Sequence, residues 1–437
     1  MIGDGGHCTW ILMARPVGIA PTITLDIEEI APSGEGVGLY GDLRVAVLGA
    51  LPGEQVVARV YKQGHAEAFA KVIEVLRPAP ERVAAPCPYF GDCGGCQWQH
   101  ARYEYQLRWK REQVISVLEM TGLPRAQLAE LVRPVVGMAD PWHYRNHARF
   151  SAMRDGSLGF TLAHSRRPMK IDACLIMHPF INQALALLQG HARGLHQVAV
   201  RYGIRTGQFL IQPRVPDVEH LIETGQPFLE EEVLGRRFRI SAASFFQVNT
   251  KPDARPLEGV LHRPSPLLRS DGLHAQAEVL ALVVLDRLQL QGDEQIIDAY
   301  CGVGTFAVLL APFVRRVTGI EESYAALQDA RYNARDLENV QFIEGKTEQV
   351  LASFDERVDA VVLDPARPGC RPEVMDALAR LRPRKVIYVS CEPVTLARDL
   401  KLLLAAGFRL VEVQPIDMFP QTQHIENVAT LEPAPAA

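Results

Sequence analysis

The chain has 437 residues, which is too long for one ordinary hydrophobic core, so we expect two or three domains. Its composition, 48% hydrophobic and 22% charged, supplies enough apolar material for packed interiors and excludes a largely disordered chain. The formal net charge of -5 indicates no particular partner. Residues 101–250, however, contain 19 Lys and Arg against 13 Asp and Glu, an excess that is compatible with a polyanionic partner.

The first twenty residues are expected to be an N-terminal extension, with Met13 as the native start. Their apolar stretch, residues 10–14, follows Asp4 and lacks a basic flank, so it does not predict a signal peptide. No apolar run approaches the ~18 residues that a membrane span needs. We therefore expect a cytoplasmic protein without a membrane partner.

Residues 21–79 are predicted to form a small β domain. Glycine-rich turns, of which residues 32–38 are the longest, separate four strand candidates at residues 23–27, 43–48, 55–61 and 68–75. Short strands at this density are typical of an OB-like barrel, which binds oligonucleotides, although another small β module is equally compatible.

A mixed central domain is predicted over residues 80–250. It opens with a cysteine-rich loop at 86–100 and an amphipathic helix at 104–120, whose inward side chains are expected to be Tyr105, Trp109, Val114 and Val117. Residues 143–215 are expected to be mainly strands. Residues 251–272 contain four prolines, which predict a surface loop or insertion because they would interrupt a helix.

The last segment, residues 273–437, alternates helices and strands. A helical run at 273–288 precedes strands at 295–299, 316–321, 340–343, 358–363, 385–390 and 410–414. This alternation predicts an open α/β sheet with helices on both faces.

A cofactor site is predicted where the first of these strands meets its helix. The turn contains Gly302 and Gly304, which allow a ligand to approach the backbone closely. Glu321 ends the next strand, where a carboxylate can accept hydrogen bonds from both hydroxyls of a ribose. Because Phe306 and Ala307 replace the third glycine of a dinucleotide fingerprint, S-adenosylmethionine is favoured over NAD.

Two later strands end in chemically active residues. Asp364 follows one strand and Cys391 follows the next, and both should face the same crevice. A helix that begins near Val394 would lower the pKa of the Cys391 thiol and make it a nucleophile, whereas a buried, inert cysteine is the equal alternative. The loop at 417–426 adds Glu426, which could serve as a general base.

Four cysteines indicate a metal site. Cys87, Cys93 and Cys96 lie within ten residues, and Cys174 could be the fourth ligand. This spacing suits an iron–sulfur cluster or a structural zinc, and the neighbouring glycine amides modestly favour iron. The remaining cysteines, Cys8, Cys301 and Cys370, are interpreted as structural.

Taken together, these motifs resemble the RNA (uracil-C5)-methyltransferase family. The likeness is greatest to the 23S ribosomal RNA enzymes, which have a TRAM domain and a [4Fe–4S] cluster. It extends from about residue 22 to residue 432. The motifs that carry it are residues 87–96, 144–146, 244–249, 364–367, 390–391, 417–420 and 424–426.

The resemblance implies a fold and a set of roles. The fold is a class I, Rossmann-like methyltransferase domain behind an N-terminal TRAM barrel and a mixed central domain. The implied roles are Cys391 as nucleophile, Glu426 as base, Gln247, Tyr300, Glu321 and Asp364 as S-adenosylmethionine contacts, Cys87, Cys93, Cys96 and Cys174 as [4Fe–4S] ligands, and Phe245 as the ring that stacks on the target base. The implied partner is RNA, most closely 23S rRNA, and the protein is expected to be a monomer.

Two positions depart from the family pattern. Glu392 replaces the usual Asn and adds a negative charge next to the thiol, which would raise its pKa, and His147 replaces a Lys. Four alternatives stay open: a transfer RNA uridine methyltransferase, a non-catalytic RNA-binding protein with the same fold, a radical enzyme that modifies tRNA, and a cytosine-C5 methyltransferase. The cysteine spacing argues against the radical enzyme. Cys370, next to Gly369, is a poor match for the second cysteine of a cytosine-C5 enzyme.

Overall fold

The computed structural model describes residues 22–435, so the predicted extension, Met13 and Cys8 lie outside the described residues. The chain divides into two compact units, Met1–Arg82 and Val83–Ala437. Among the described residues, no helix is both long enough and apolar enough to cross a membrane.

The first unit is a six-stranded sheet with the spatial order β1-β5-β6-β4-β3-β2. Its strands are β1 (Thr22–Asp26), β2 (Glu29–Ile30), β3 (Gly36–Tyr40), β4 (Leu43–Leu48), β5 (Gln55–Gln63) and β6 (Glu67–Arg77). Alternate side chains such as Ile23, Leu25, Val45 and Val47 fill its core. The expectation of a small N-terminal β unit is confirmed.

Strand β3 was not predicted, because its glycines resemble a turn. The glycines are needed for packing. A Cβ on Gly38 would lie 2.0 Å from the Asp26 carbonyl oxygen, and one on Gly36 would lie 2.7 Å from that of Ala50. A glycine-containing strand is the usual solution where two backbones approach so closely.

The second unit opens with two helices and two antiparallel sheets. Strands β7 to β11 form a five-stranded sheet in the order β11-β10-β7-β8-β9, and β12 pairs with β13 as a hairpin. The elements are α1 (Tyr103–Leu118), α2 (Arg125–Leu131), β7 (His147–Ala152), β8 (Leu158–Thr161), β9 (Pro168–Lys170), α3 (Pro179–Leu188), β10 (Gln197–Tyr202), β11 (Phe209–Gln212), β12 (Phe228–Val233) and β13 (Arg236–Ser241). The mixed, strand-dominated segment is confirmed.

Helix α1 exists, but the prediction of its buried face was wrong in part. Val114 is buried as expected, whereas Tyr105, Trp109 and Val117 are only partly buried. The fully buried positions include two polar residues, Gln106 and Lys110, which the apolar pattern could not reveal. Their partners lie more than 300 residues away in sequence.

The predicted insertion contains no helix or strand, as its prolines require. It is anchored by Asp253, whose carboxylate accepts hydrogen bonds from the backbone N–H groups of Ala139 and Asp140 at 2.7 and 3.0 Å.

The rest of the unit consists of a seven-stranded sheet and the helices that connect its strands. The strand order is β16-β15-β14-β17-β18-β20-β19. Its elements are α4 (Gln276–Leu288), β14 (Gln295–Ala299), α5 (Thr305–Leu310), β15 (Arg316–Glu321), α6 (Tyr324–Asn333), β16 (Val340–Glu344), α7 (Thr347–Ser353), β17 (Ala360–Leu363), α8 (Pro372–Leu381), β18 (Lys385–Ser390), α9 (Pro393–Ala405), β19 (Phe408–Ile416) and β20 (Glu426–Pro433). Strands β14 to β18 are parallel, and β20 runs antiparallel to both neighbours.

Apolar cores cover both faces of this sheet. Helices α4 and α5 contribute Leu280 and Leu309 to one core, while α8 and α9 contribute Leu378 and Leu400 to the other. The sheet order reverses between β14 and β17, and open α/β sheets bind ligands beyond the carboxyl ends of their strands at such a point. The α/β prediction is therefore confirmed, and it locates the site.

Candidate active site

The glycine turn after β14 is held in shape by the carboxylate of Glu321. Tyr300, Gly302 and Gly304 have φ angles of 63°, 55° and 81°. Glu321 accepts hydrogen bonds from the backbone N–H groups of Gly302 at 2.9 Å and Ser323 at 2.7 Å. Glu321 thus stands at the end of β15, against the turn, where an acid can meet a ribose.

Asp364 and Gln247 meet at the end of β17. Gln247 Nε2 donates to Asp364 Oδ2 at 3.3 Å, although the two residues are far apart in sequence. Burial raises the pKa of the Asp364 carboxyl to about 7, and the hydrogen bond from Gln247 opposes this shift.

Cys391 and Glu426 lie on neighbouring strands. Cys391 follows the last residue of β18, and Glu426 begins β20, whose next residue, Asn427, pairs with Ser390. Burial and then the charge of Asp364 raise the pKa of Glu426 well above its ordinary value, while the nearby Arg367 lowers it. The surroundings of Glu426 in the free protein therefore favour its neutral form over its ionised form.

Of the two interpretations of Cys391, the one with an acidic thiol is contradicted by its surroundings. Burial, followed by the charge of Glu426, raises its pKa to about 11, and Arg367 opposes this increase. Helix α9 does begin two residues later, but the loss of solvation outweighs its effect. Glu392 is not among the charges that act most on the thiol, so its predicted role is not supported by the geometry.

The alkylation of Cys391 by iodoacetamide should consequently be slow at neutral pH. Because only the thiolate reacts, we expect the rate to rise about tenfold per pH unit from pH 7 to pH 10. Mass spectrometry of the peptide that contains Cys391 separates its reaction from that of the other cysteines. A rate that levels off below pH 8 would show instead that the thiol is acidic.

Phe245 is the most exposed large apolar side chain among the described residues, with 67% of its surface accessible. The next residue, Phe246, is buried, and the preceding Ser244 donates to Asp329 Oδ2 at 2.7 Å. The segment is therefore fixed on both sides of the exposed ring, which is free to contact a ligand.

A single cavity of about 1060 Å³ collects the predicted site residues. All eleven line it: Cys87, Cys93, Cys96, Cys174, Phe245, Gln247, Tyr300, Glu321, Asp364, Cys391 and Glu426. They come from widely separated parts of the sequence, and the fold brings every one of them to the same space.

The four predicted metal ligands share one region of this cavity. Each of Cys93, Cys96 and Cys174 has its pKa raised, chiefly by burial and further by the charges of neighbouring cysteines in the group. Cys93 Sγ also accepts a hydrogen bond from the Gly95 N–H at 3.4 Å. Within residues 22–435, no three His, Cys, Asp or Glu side chains stand close enough together to hold a single metal ion.

The donor chemistry suits a thiolate-bound metal centre. All four thiols line the same cavity, and thiolates are the ligands of both [4Fe–4S] clusters and structural zinc.

Several cationic and imidazole side chains also line the cavity. They are Arg145, Arg149, His147, Arg367 and His424. Burial and the nearby arginines lower the pKa of His147 to about 3 and that of His424 to about 4, so both rings are neutral at physiological pH. The motifs at 144–146, 364–367 and 424–426 contain Arg145, Arg367 and His424, and His147 was singled out only as a departure from the family pattern.

The strand order and the acid-backed glycine turn together define the fold of a class I S-adenosylmethionine-dependent methyltransferase. Comparison with solved structures agrees: the tRNA (uracil-54, C5)-methyltransferase of Pyrococcus abyssi, solved with S-adenosyl-L-homocysteine, has a TM-score of 0.69 and 23% identity, and the match covers 93% of this chain and 99% of that one.

The tRNA (uracil-5-)-methyltransferase family model matches residues 277–433. An uncharacterized RNA methyltransferase of Halalkalibacterium halodurans is 34% identical, over 95% of this chain and 98% of its own length. Another, from Gloeobacter violaceus, is 36% identical, over 94% and 96%. The chain belongs to the RNA (uracil-C5)-methyltransferase family and is an S-adenosylmethionine-dependent RNA methyltransferase.

Replacing Glu321 by glutamine should weaken S-adenosylmethionine binding. The neutral amide would lose a charged hydrogen bond worth about 1.5–3 kcal/mol, so we expect Kd to rise on the order of 10- to 100-fold by titration calorimetry. The matched control is Glu338→Gln, which changes an exposed acid that does not line the cavity. An unchanged Kd for Glu321→Gln would contradict its assignment to the cofactor.

Proposed function

We propose that this enzyme methylates C5 of uridine in 23S ribosomal RNA through a covalent bond between Cys391 and C6 of the base. One observation carries the proposal: Cys391, Glu426, Asp364 and Phe245 line the same cavity as the cofactor residues. A nucleophile, a base and a stacking ring are thus available to one bound nucleotide.

The chemistry requires these residue types. Uracil C5 is a poor nucleophile, so Cys391 first loses its thiol proton to solvent. Its sulfur then bonds to C6, and the electrons of the C5–C6 double bond move onto the C4 carbonyl as an enolate. S-adenosylmethionine, when bound, supplies an electrophilic methyl group. After C5 has taken that methyl group, Glu426 accepts the C5 proton. The C6–S bond then breaks, which restores the double bond and the thiolate.

Glu426 must be ionised before it can accept this proton. Burial and the nearby Asp364 raise the pKa of its carboxyl in the free protein. Both acids ionise more easily when a cation such as a sulfonium lies in the same cavity. A bound sulfonium would thus favour the ionised form of this base.

The target base must leave the RNA stack to reach Cys391, and unstacking costs a few kcal/mol. The exposed ring of Phe245 offers a surface on which the displaced base can stack. The N-terminal β unit, which we interpret as a TRAM domain, and the basic segment 101–250 would bind the flanking phosphates.

We further propose that Cys87, Cys93, Cys96 and Cys174 hold a [4Fe–4S] cluster with a structural role. Anaerobically purified protein should then contain about four irons and four sulfides per chain. Colourless protein that contains zinc and no iron would contradict the cluster.

The test of function uses labelled S-adenosylmethionine with unmodified ribosomal RNA and unmodified transfer RNA in separate reactions. Digestion to nucleosides and mass spectrometry then identify the product. We expect 5-methyluridine in the 23S RNA only. Its absence from both RNAs would overturn the proposed reaction in favour of an RNA-binding protein that has kept the fold.

Transfer RNA is the second candidate substrate. The matching family model and the Pyrococcus abyssi structure both carry names of transfer RNA enzymes. Formation of 5-methyluridine in tRNA alone would keep the mechanism and change the substrate. The cysteine segment and the N-terminal β unit are the reasons to place ribosomal RNA first.

A further inference from the structure

A fully buried ion pair joins helix α1 to the loop at residues 417–425. Lys110 Nζ donates to Asp417 Oδ1 at 2.6 Å, and neither side chain has any accessible surface. Tyr103, on the same face of α1, donates its hydroxyl to Asp417 Oδ2 at 2.8 Å. The Asp417 carboxylate therefore has a partner from α1 on each of its oxygens.

The same ammonium group also binds the backbone of the loop. Lys110 Nζ donates to the Phe419 carbonyl oxygen at 3.0 Å, and the hydroxyl of Thr422 donates to that oxygen at 2.8 Å. The Thr422 hydroxyl in turn accepts from the His424 N–H at 3.2 Å. A continuous chain of hydrogen bonds thus leads from Lys110 to the residue two positions before Glu426.

This loop forms part of the reaction cavity. It contributes Phe419, Thr422 and His424 to the lining and ends at Glu426, which pairs with Ile416 where the β19–β20 hairpin closes. A second contact from α1 fixes the loop: Gln106 and Gln421 exchange hydrogen bonds of 3.0 and 3.1 Å.

Stability alone is a poor reason for a buried lysine at this position. Removing two charges from water costs several kcal/mol, and apolar pairs of similar size often stabilise a fold equally well or better. An ion pair does, however, impose a direction and a distance that apolar packing does not. The ammonium group of Lys110 points toward the loop at 417–425, which precedes Glu426.

We propose that Lys110 is a positioning residue for methyl transfer, which acts with Asp417 to set the shape of the loop at 417–425 and thereby the placement of Glu426. The proposal rests on the role of Glu426 as the base. It assigns no direct contact with substrate or cofactor to Lys110.

The test distinguishes an effect on the placement of Glu426 from an effect on the stability of the fold. Lys110→Met leaves the Asp417 charge buried and should lower Tm, whereas Lys110→Met/Asp417→Asn removes both charges and should recover most of the loss. In the double variant we expect kcat to stay about 10- to 100-fold below wild type, because the Phe419 carbonyl has lost its ammonium partner. The Kd of S-adenosylmethionine should remain within about twofold.

A second readout follows the order of the chemical steps. Cys391 directly follows β18 and is not part of the loop at 417–425, so covalent RNA–protein adduct should still form in the double variant and make up a larger fraction of the RNA on denaturing gels. The control is Lys385→Met, which breaks a largely buried ion pair with Glu432 at the opposite end of β18. It should lower Tm without a change in kcat.

Three results would overturn the proposal: recovery of kcat together with Tm in the double variant, an unchanged adduct fraction, or failure of the double variant to fold. If the wild-type protein itself makes no 5-methyluridine, the proposed function is wrong, and the inference about Lys110, which rests on it, is wrong as well. Wild type is therefore assayed in parallel with every variant.

Discussion

Replacing Cys391 by alanine is expected to abolish methyl transfer, with a rate at least about 10⁴-fold below wild type, which corresponds to ~5.5 kcal/mol of lost transition-state stabilisation. Without the sulfur, C6 has no nucleophile to accept and C5 remains unreactive. The Kd of S-adenosylmethionine should be unchanged, because the assigned cofactor contacts come from Gln247, Tyr300, Glu321 and Asp364. Incorporation of labelled methyl groups into RNA and titration calorimetry measure the two quantities.

The retained binding of cofactor serves as the control for correct folding of this variant. Residual methylation within tenfold of wild type would show that Cys391 is not the nucleophile. The product would then have to form without a bond from this sulfur to C6.

Replacing Glu426 by glutamine should have a different effect. The amide cannot accept the C5 proton, so turnover should fall on the order of 10²- to 10⁴-fold while Cys391 still forms its bond to C6. The methylated adduct should accumulate and appear as RNA-linked protein on denaturing gels. This combination of slow turnover and abundant adduct distinguishes a missing base from a missing nucleophile.

The matched control is Glu432→Gln, the same substitution near the other end of β20, where the side chain pairs with Lys385 and does not line the cavity. Its turnover should equal that of wild type. Slow turnover of Glu426→Gln without any adduct would mean that Glu426 acts before or during the attack of Cys391.

Local sequence patterns were sufficient to predict the sheet but not all of its surroundings. Strands β14, β15 and β18 have the predicted bounds, because each is a short apolar run next to a turn signal. Strand β3 was missed because its glycines serve a close backbone contact that only the tertiary structure creates.

The candidate site was likewise predictable from the sequence only in part. The order of strand ends brought Asp364 and Cys391 to one edge of the sheet, as open α/β topology requires. The protonation states could not be predicted, because burial, which no local motif reports, raises the pKa values of Cys391 and Glu426. Lys110 was likewise hidden, since its partner Asp417 is close only in the folded chain.

The position of β20 in the sheet also affects how the chain folds during its synthesis. This strand lies inside the sheet, between β18 and β19, although it comes after both of them in the sequence. Until residues 426–433 have emerged from the ribosome, the edge of β18 that pairs with β20 has no partner strand. Exposed strand edges of this kind favour aggregation. Cys391 and Glu426 are therefore brought together only after residues 426–433 have been synthesised and have paired with β18.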